Sequence, residues 1–177
     1  MLLVYRSLRY GCAFRKIPLT QGKFAIVDPE DYERLANYKW FLSKSPTSSY
    51  AARWQRTQSG LRKKIWMHRE IIDIPKHMLC DHINGNGLDN RKDKVRPATV
   101  SQNLCNRPKT KAKTRSKYKG LEYDKIQKKW KARIQHDGRT IYLGSFSNEV
   151  DAARAYDKKA KALFGQFARL NFPQTIS

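Results

Sequence analysis

Acidic residues are scarce in this sequence: 15 Asp and Glu stand against 37 Lys and Arg, which leaves a formal net charge of +22 on 177 residues. An excess of that size is larger than solubility requires and indicates a polyanionic partner. Such a charge is typical of nucleic-acid-binding proteins, ribosomal and other RNA-binding proteins included, so it does not say which nucleic acid is bound. At this length the chain has room for one medium domain or two small ones.

Long apolar runs are also lacking. No segment approaches the roughly 18 apolar residues of a membrane-spanning helix, and the aromatic residues are interleaved with cations. Arg6 and Arg9 interrupt the apolar start MLLV, so no signal-peptide core is expected. We therefore expect no membrane partner and a location in the cytoplasm of a bacterial or phage-infected host cell.

Cysteine is sparse as well: Cys12, Cys80 and Cys105 lie far apart and form no CxxC pair. Structural zinc sites use ligands paired at short spacing, so no zinc is expected. An odd, low cysteine count fits a reducing compartment.

The chain starts with a predicted N-terminal extension, residues 1–16, followed by a predicted α+β domain, residues 17–105. Short strands are expected in 17–27, broken at Gln21-Gly22. Asp28 is the predicted N-cap of a helix. The expected apolar face of this helix has four members: Tyr32, Leu35, Ala36 and Trp40.

A hairpin is expected next, with strands at residues 50–54 and 64–68 joined around Ser59-Gly60. The segment before Cys80 thus predicts a small α+β subdomain. Its simplest interpretation is a scaffold for the segment downstream of it.

The stretch from Cys80 to Arg107 reads CDHINGNGLDNRKDKVRPATVSQNLCNR and is dense in Asp, Asn and Gly. Asp and Asn supply hard oxygen ligands of the kind that Mg²⁺ accepts, and His is the side chain that most readily takes a proton near neutral pH. A divalent metal beside a general base is what phosphodiester hydrolysis needs. Thr99 and Gln102 predict a capping box that starts a helix carrying Asn103.

This pattern resembles the HNH nuclease motif of phage and intron-encoded homing endonucleases. The resemblance implies a ββα-metal (His-Me finger) domain in which Asp81-His82 ends the first strand and Asn103, twenty-one residues after His82, lies on the helix. It implies that Asp81 and Asn103 hold one Mg²⁺ or Mn²⁺ and that His82 activates water. The implied substrate is double-stranded DNA rather than a small molecule.

One signature position departs from the family: Lys94 stands where an Asn usually pins the loop. Either Asn90 takes over this structural role or the loop is looser. His68, upstream, is expected to be a packing or phosphate-contacting residue. A lone Asp-His pair and Asn-Gly runs are ordinary surface turns, so the prediction depends on the joint pattern.

Three arginines are candidate phosphate clamps, because a guanidinium matches a phosphate bidentately: Arg91, Arg96 and Arg107. Arg107 is four residues after Asn103, which predicts a shared helix face. For Arg91 and Arg96 a solvated surface is an equal alternative.

Residues 106–117, NRPKTKAKTRSK, hold six cations and no acid, so no core can form there. This predicted basic linker is either simply solvated or follows DNA phosphates, with Lys109 and Lys111 as contacts.

Residues 118–173 predict a three-stranded antiparallel sheet packed on one helix. Folding about the two-residue turn Asp137-Gly138 pairs Ile134 with Ile141 and Ala132 with Leu143. The opposite, open face then carries three candidate DNA-binding residues: Arg133, Gln135 and Tyr142. The helix is expected to start at Ser147 or Asn148 and to stop at Gly165.

The segments KKWKARI, YLGSF, DAARAYDKKA and ARLNFP resemble the plant ethylene-response-factor DNA-binding domain. The resemblance implies strands laid in the DNA major groove with the helix behind them. Lys119 and Tyr142 keep the family's cation and aromatic. Four base-reading positions depart from it, which removes the family's base preference: Glu122, Asp124, Gln127 and Thr140.

The resulting hypothesis is a metal-dependent DNA endonuclease with a sequence-reading C-terminal domain, as in a homing endonuclease of a phage or mobile element. The alternative is a DNA-binding transcription regulator whose nuclease half has decayed. A structural RNA-binding protein would leave Asp81, His82 and Asn103 unexplained. The target sequence, nicking or double-strand cutting, and the oligomeric state are open.

Overall fold

The computed structural model describes residues 13–45, 48–109 and 115–173. The chain divides into two units, one ending at Ala98 and one beginning at Thr99. The strands of the described part form four antiparallel sheets, which, with the helices, confirms the predicted α+β class. Cys12, Lys111, most of the predicted extension and the middle of the linker lie outside the described residues.

The first unit begins with strands β1 (Arg15–Pro18) and β2 (Phe24–Val27), which pair around the predicted break at Gln21-Gly22. Helix α1 (Pro29–Ala36) comes next, with Pro29 in its first turn as is common at helix starts.

Two details of helix α1 differ from the sequence prediction. Asp28 occupies the N-cap position, but its Oδ2 accepts a hydrogen bond from the Lys92 backbone N–H at 2.8 Å instead of capping the helix. The helix ends at Ala36, so placing Trp40 on its apolar face was wrong. Trp40 lies beyond the end of the helix, and its indole Nε1 donates to the Leu35 carbonyl at 2.7 Å.

A three-stranded sheet comes after α1, formed by β3 (Phe41–Lys44), β4 (Ser49–Arg56) and β5 (Arg62–Trp66) in that order. The hairpin predicted around Ser59-Gly60 is therefore confirmed, but extending its second strand to His68 was wrong, because the strand ends at Trp66. Helix α2 (Met67–Ile71) starts directly after β5. The buried core of this unit is mostly aliphatic and includes Ile17, Ala25, Val27, Leu35, Trp40, Leu42 and Met67.

The first unit closes with a two-stranded ladder of β6 (Leu79–His82) and β7 (Val95–Ala98). His82 is the last residue of β6, as predicted, and the Asn-Gly-rich loop connects it to β7. Helix α3 (Val100–Cys105) then opens the second unit. The predicted capping box is present, because Gln102 N–H donates to Thr99 Oγ1 and Thr99 N–H donates to Gln102 Oε1.

The second unit contains strands β8 (Leu121–Asp124), β9 (Lys129–His136) and β10 (Arg139–Phe146) and helix α4 (Glu149–Phe164). The strands form the predicted three-stranded sheet in the order β10-β9-β8, and α4 packs on one of its faces. Asn148, not Ser147, is the N-cap, and its side chain accepts from the Val150 N–H at 2.7 Å.

The β9–β10 hairpin turns at Asp137-Gly138, where φ is 48° and 73°. Positive φ at both central residues is the geometry that a two-residue hairpin turn requires, and Asp-Gly accommodates it. The predicted pairing of Ile134 with Ile141 is confirmed, but pairing Ala132 with Leu143 was wrong. A bulge after Tyr142 shifts the register, so that Ala132 pairs with Gly144.

Among the described residues, no helix combines the length and the apolar character that crossing a membrane would require.

Candidate active site

The end of strand β6 separates its polar side chains onto two faces. Cys80 and His82 are two residues apart and share one face, while Asp81 points to the other. Asp81 is the cross-strand partner of Arg96 on β7. Asp81 and His82 are both buried, on opposite sides of the strand.

Asp81 forms a buried ion pair with Arg96. The Arg96 Nε and Nη2 both donate to Asp81 Oδ2, at 2.9 and 2.8 Å, and the two side chains are only 3% and 13% exposed. Arg96 therefore holds the Asp81 carboxylate in position and balances its charge. This geometry favours neither of the two roles expected for Arg96, a phosphate clamp or a solvated surface residue.

His82 is buried, and its orientation is set by Asn90. The His82 Nε2 lies 3.4 Å from Asn90 Oδ1, and the Asn90 Nδ2 donates to the Leu88 carbonyl at 3.2 Å. This bond turns the Asn90 oxygen toward the ring, which favours the tautomer that carries its proton on Nε2. Burial lowers the pKa of His82 below its ordinary value, against the raising effects of Asn90 and of Asp81.

The same Asn90 pins the loop after β6. Its side chain is fully buried, and its backbone N–H donates to the Ile26 carbonyl at 2.8 Å. Lys94 stands at the signature position that differs from the family. Its backbone carbonyl accepts a hydrogen bond from the Ile83 N–H, and its side chain forms an ion pair with Asp93. The geometry favours the alternative in which Asn90 replaces the missing Asn.

The rest of the loop is held by its own polar side chains. Asn84 and Asn86 each accept a backbone N–H from two residues further on, which forms two consecutive Asx turns. Arg91 donates through Nε and Nη2 to the two Asp89 oxygens, at 2.8 and 2.7 Å. Arg91 therefore stabilises the loop, and the side chain that was predicted to contact phosphate is held in an ion pair with Asp89.

Gly87 lets this loop pass close to strand β4. A Cβ at this position would lie 2.4 Å from the Ser49 carbonyl oxygen and 2.7 Å from the Tyr50 ring. Any side chain would therefore push the loop away from β4. The glycine in the Asn-Gly run serves close packing here, in addition to the turn that the sequence indicates.

Four rings pack around the base of the site. His68, at the start of helix α2, stacks on Trp66 with ring centroids 6.1 Å apart and meets His82 edge-on at 5.3 Å. Tyr50 lies within 6.0 Å of both histidine rings. Burial, with smaller effects of His82 and Arg69, lowers the pKa of His68 to about 3, so His68 is neutral at physiological pH.

His68 was expected to pack or to contact phosphate; it packs against neighbouring rings and also lies in a group of possible metal ligands. Among the described residues, His68, Cys80 and His82 form the group whose donor atoms all lie within 4.8 Å of one another. Burial, followed by the Asp81 charge, raises the pKa of Cys80 to about 12. The sequence did show that Cys80 and His82 share a strand face, but nothing in it places His68 beside them.

The two faces of β6 suit different cations. Asp81 offers carboxylate oxygen, the ligand type that Mg²⁺ and Mn²⁺ accept, so it fits the hard ion that the HNH resemblance implies. The histidine and cysteine face offers nitrogen and sulfur, which suit softer ions such as Zn²⁺.

Asn103, the other predicted ligand, lies on helix α3 in the second unit, half-buried. Its predicted place beside Asp81 and His82 stays a prediction. The helix ends at Cys105, so the shared helix face predicted for Asn103 and Arg107 was wrong. Pro108 accounts for this end, since a residue before proline is driven out of the helical region.

Two lysines predicted to contact DNA instead bind backbone carbonyls of the second unit. The Lys119 Nζ donates to the Cys105 carbonyl at 2.7 Å and to the Arg107 carbonyl at 2.8 Å, which holds the end of α3. The Lys109 Nζ donates to the Ser116 and Tyr118 carbonyls. These bonds favour structural roles for both lysines.

The open face of the second sheet carries the predicted contacts. Arg133, Gln135 and Tyr142 are exposed, opposite the face that α4 covers. Arg133 pairs with Glu122 at 2.9 Å across the strands, in an ion pair that solvent reaches from both sides. The Tyr142 hydroxyl lies 2.6 Å from Ser145 Oγ.

The chain is similar over most of its length to a viral protein. It is 32% identical over 152 residues to an uncharacterised HNH endonuclease of Acanthamoeba polyphaga mimivirus, which covers 85% of this chain and 76% of that protein. No family model matches the chain.

Plant DNA-binding proteins match smaller parts of the chain. It is 37% identical over 91 residues to the dehydration-responsive element-binding protein 2A of Arabidopsis thaliana, half of this chain and 27% of that protein. It is 42% identical over 62 residues to an ethylene-responsive transcription factor of the same plant, 34% of each chain. The chain therefore spans only about a third or less of these relatives.

Proposed function

The chain belongs to the HNH endonuclease family, and on that premise we propose that it hydrolyses DNA phosphodiester bonds at the site around His82, while its second unit binds the DNA. The observation that carries this proposal is the Asn90–His82 contact at 3.4 Å. It orients a buried imidazole whose pKa is lowered by burial, and a neutral, oriented imidazole is what a general base needs.

In this mechanism His82 Nδ1 takes the proton of the water that attacks phosphorus. The lowered pKa of His82 keeps the imidazole neutral, and therefore ready to accept a proton, at physiological pH. Asn90 keeps Nε2 protonated throughout, so the ring does not change tautomer between turnovers. Tyr50 and His68 restrict the tilt of the His82 ring.

Asp81 and Asn103 would hold one Mg²⁺ or Mn²⁺, which when bound stabilises the charge that develops on the leaving 3′ oxygen. Arg96 keeps the Asp81 carboxylate oriented for this role, because two N–H groups fix one carboxylate oxygen. Of the three clamp candidates, Arg91 and Arg96 are paired with carboxylates. Arg107 is exposed just beyond α3, and no carboxylate partner is found for it among the described residues.

The second unit would bind double-stranded DNA through the open sheet face. An arginine, an amide and an aromatic residue stand together there, and the first two can read base edges in the major groove. The basic stretch 106–117 would add sequence-independent affinity. The combination of a nuclease site and a DNA-reading unit supports a homing endonuclease of a phage or mobile element.

Cleavage of supercoiled plasmid in the presence and absence of Mg²⁺ tests this proposal, with the His82→Ala variant as control. We expect Mg²⁺-dependent nicking or linearisation by the native chain and none in EDTA. Undiminished cleavage in EDTA would remove metal chemistry from the proposal. DNA binding without cleavage under any metal would favour a regulator with a decayed nuclease half.

A further inference from the structure

A set of nitrogen and sulfur donors lies on the face of β6 opposite Asp81. The donor atoms of His68, Cys80 and His82 fall within 4.8 Å of one another. We propose that these three residues form a binding site for Zn²⁺, distinct from the oxygen-ligated ion on the Asp81 side. Two imidazoles and one thiolate leave the fourth tetrahedral position open.

The local structure prepares the three ligands. Cys80 and His82 occupy alternate positions of one strand and project from the same face. His68 is brought to them by helix α2, and its ring is held by stacking on Trp66 with planes 11° apart. Little side-chain freedom remains to be lost when a cation binds, which favours affinity.

An unsatisfied atom points to a ligand for this face. His68 is only 8% exposed, and its buried Nδ1 has no hydrogen-bond partner among the described residues. An orphaned buried nitrogen destabilises the fold, because the loss of its contact with water is not offset by a hydrogen bond. The thiol is the selective element of the set, since sulfur favours Zn²⁺ over Mg²⁺. Cys80 would release its proton to solvent on binding.

The position of His82 gives this site a consequence, which rests on the proposed function. His82 would be both a ligand of this site and the proposed general base. An imidazole bound to Zn²⁺ through one nitrogen carries its proton on the other, so no lone pair remains to accept a proton from water. Zn²⁺ on this face therefore blocks proton transfer without displacing the ion on the Asp81 side, and it acts as an inhibitor of Mg²⁺-dependent cleavage.

Titration of the full-length protein with Co²⁺ tests the site without reference to cleavage. Cobalt bound to a thiolate gives a charge-transfer absorption that oxygen and nitrogen ligands do not give. We expect this absorption at one equivalent in the native chain and in Cys12→Ser/Cys105→Ser, which keeps Cys80 as its one cysteine. It should be lost in Cys80→Ser and weakened in His68→Asn.

Circular dichroism confirms that each variant is folded. No thiolate absorption in the native chain, or its persistence in folded Cys80→Ser, would overturn the site.

Plasmid cleavage in Mg²⁺ with added Zn²⁺ tests the inhibition. One equivalent of Zn²⁺ should suppress cleavage by the native chain and by Cys12→Ser/Cys105→Ser. The rate of Cys80→Ser, whatever its value, should not change on adding Zn²⁺. Stimulation of the native chain by Zn²⁺ would refute the inhibitory role. If no metal supports cleavage, the proposed function fails, yet the cobalt titration still decides the site.

Discussion

Asp81, His82 and Asn90 are buried in the first unit, at 2%, 6% and 0% exposure, whereas Arg133 and Tyr142 stand exposed on the open sheet of the second. The ion pairs differ in the same way. The Asp81–Arg96 pair is largely shielded from solvent, whereas both side chains of the Glu122–Arg133 pair are exposed. Polar groups that must keep one geometry are thus placed inside, and those that must exchange water for a partner are placed outside.

This difference means that the two units should respond differently to the same kind of substitution. In the first unit a changed side chain alters chemistry and stability together, because its neighbours are buried with it. In the second, the same change alters affinity and leaves stability almost untouched.

His82→Ala against Arg133→Ala gives the largest contrast. Removing the general base should lower the cleavage rate by ~10²–10⁴-fold with DNA affinity nearly intact, since proton abstraction contributes that much. Arg133→Ala should weaken binding but retain the rate at saturating DNA. Single-turnover cleavage and a binding titration measure both. A His82→Ala rate within threefold of the native rate would remove His82 from the mechanism.

Replacing one partner of each ion pair comes next. Asp81→Ala should destabilise the protein by about 3–5 kcal/mol, because it leaves Arg96 buried without its carboxylate. Glu122→Ala should change stability by less than about 1 kcal/mol, as exposed pairs contribute little. Urea unfolding in EDTA compares the two.

Asp81→Leu/Arg96→Met is the matched control, since it removes both buried charges and should recover much of the loss. Equal destabilisation by Asp81→Ala and Glu122→Ala would contradict the burial contrast between the two units.

Base reading by the open sheet is a smaller effect. Arg133→Ala should change the relative affinity for different DNA sites by about 1–3 kcal/mol, the value of one good arginine–guanine contact. Lys111→Ala should lower affinity for all sequences alike and flatten the salt dependence by about one unit of slope. Competition binding at several salt concentrations measures both. Uniform weakening by Arg133→Ala would mean that the sheet grips only the backbone.

The smallest effect is the pH dependence of stability in the first unit. Burial lowers the pKa of His68 to about 3, so the unfolded chain binds a proton below pH 6.5 while the folded chain does not. Stability should therefore fall as pH drops below 6.5, by about 1.4 kcal/mol per pH unit from His68. Urea unfolding in EDTA between pH 7 and 5 should show a shallower slope for His68→Phe. An unchanged slope would mean that His68 titrates normally.

Local patterns in the sequence predicted the elements that depend on neighbours in the chain. The capping box at Thr99, the Asp137-Gly138 turn and the strand end at His82 each involve residues within a few positions of one another. Sequence spacing is sufficient for such features, because the backbone geometry of a turn or a cap is set by its own residues.

Long-range contacts around the site could not be predicted in this way. The Arg96–Asp81 pair requires the register of two strands, and the approach of His68 to Cys80 requires the tertiary fold that brings α2 near β6. The expectation of no zinc rested on the spacing of cysteines, which is silent on ligands that only the fold brings together. The bulge before Gly144 likewise leaves no sequence signal beyond the glycine itself.

Lys119, which joins the end of α3 to the sheet unit, bears on how such proteins could be recombined. Cutting within the basic stretch would separate α3 from the lysine that holds its last carbonyls. A chimera that exchanges the DNA-reading module should therefore be joined between Ala98 and Thr99, and it should carry Asn103 with the incoming module. The part to be exchanged is therefore the DNA-binding unit together with Asn103, one proposed metal ligand of the nuclease site.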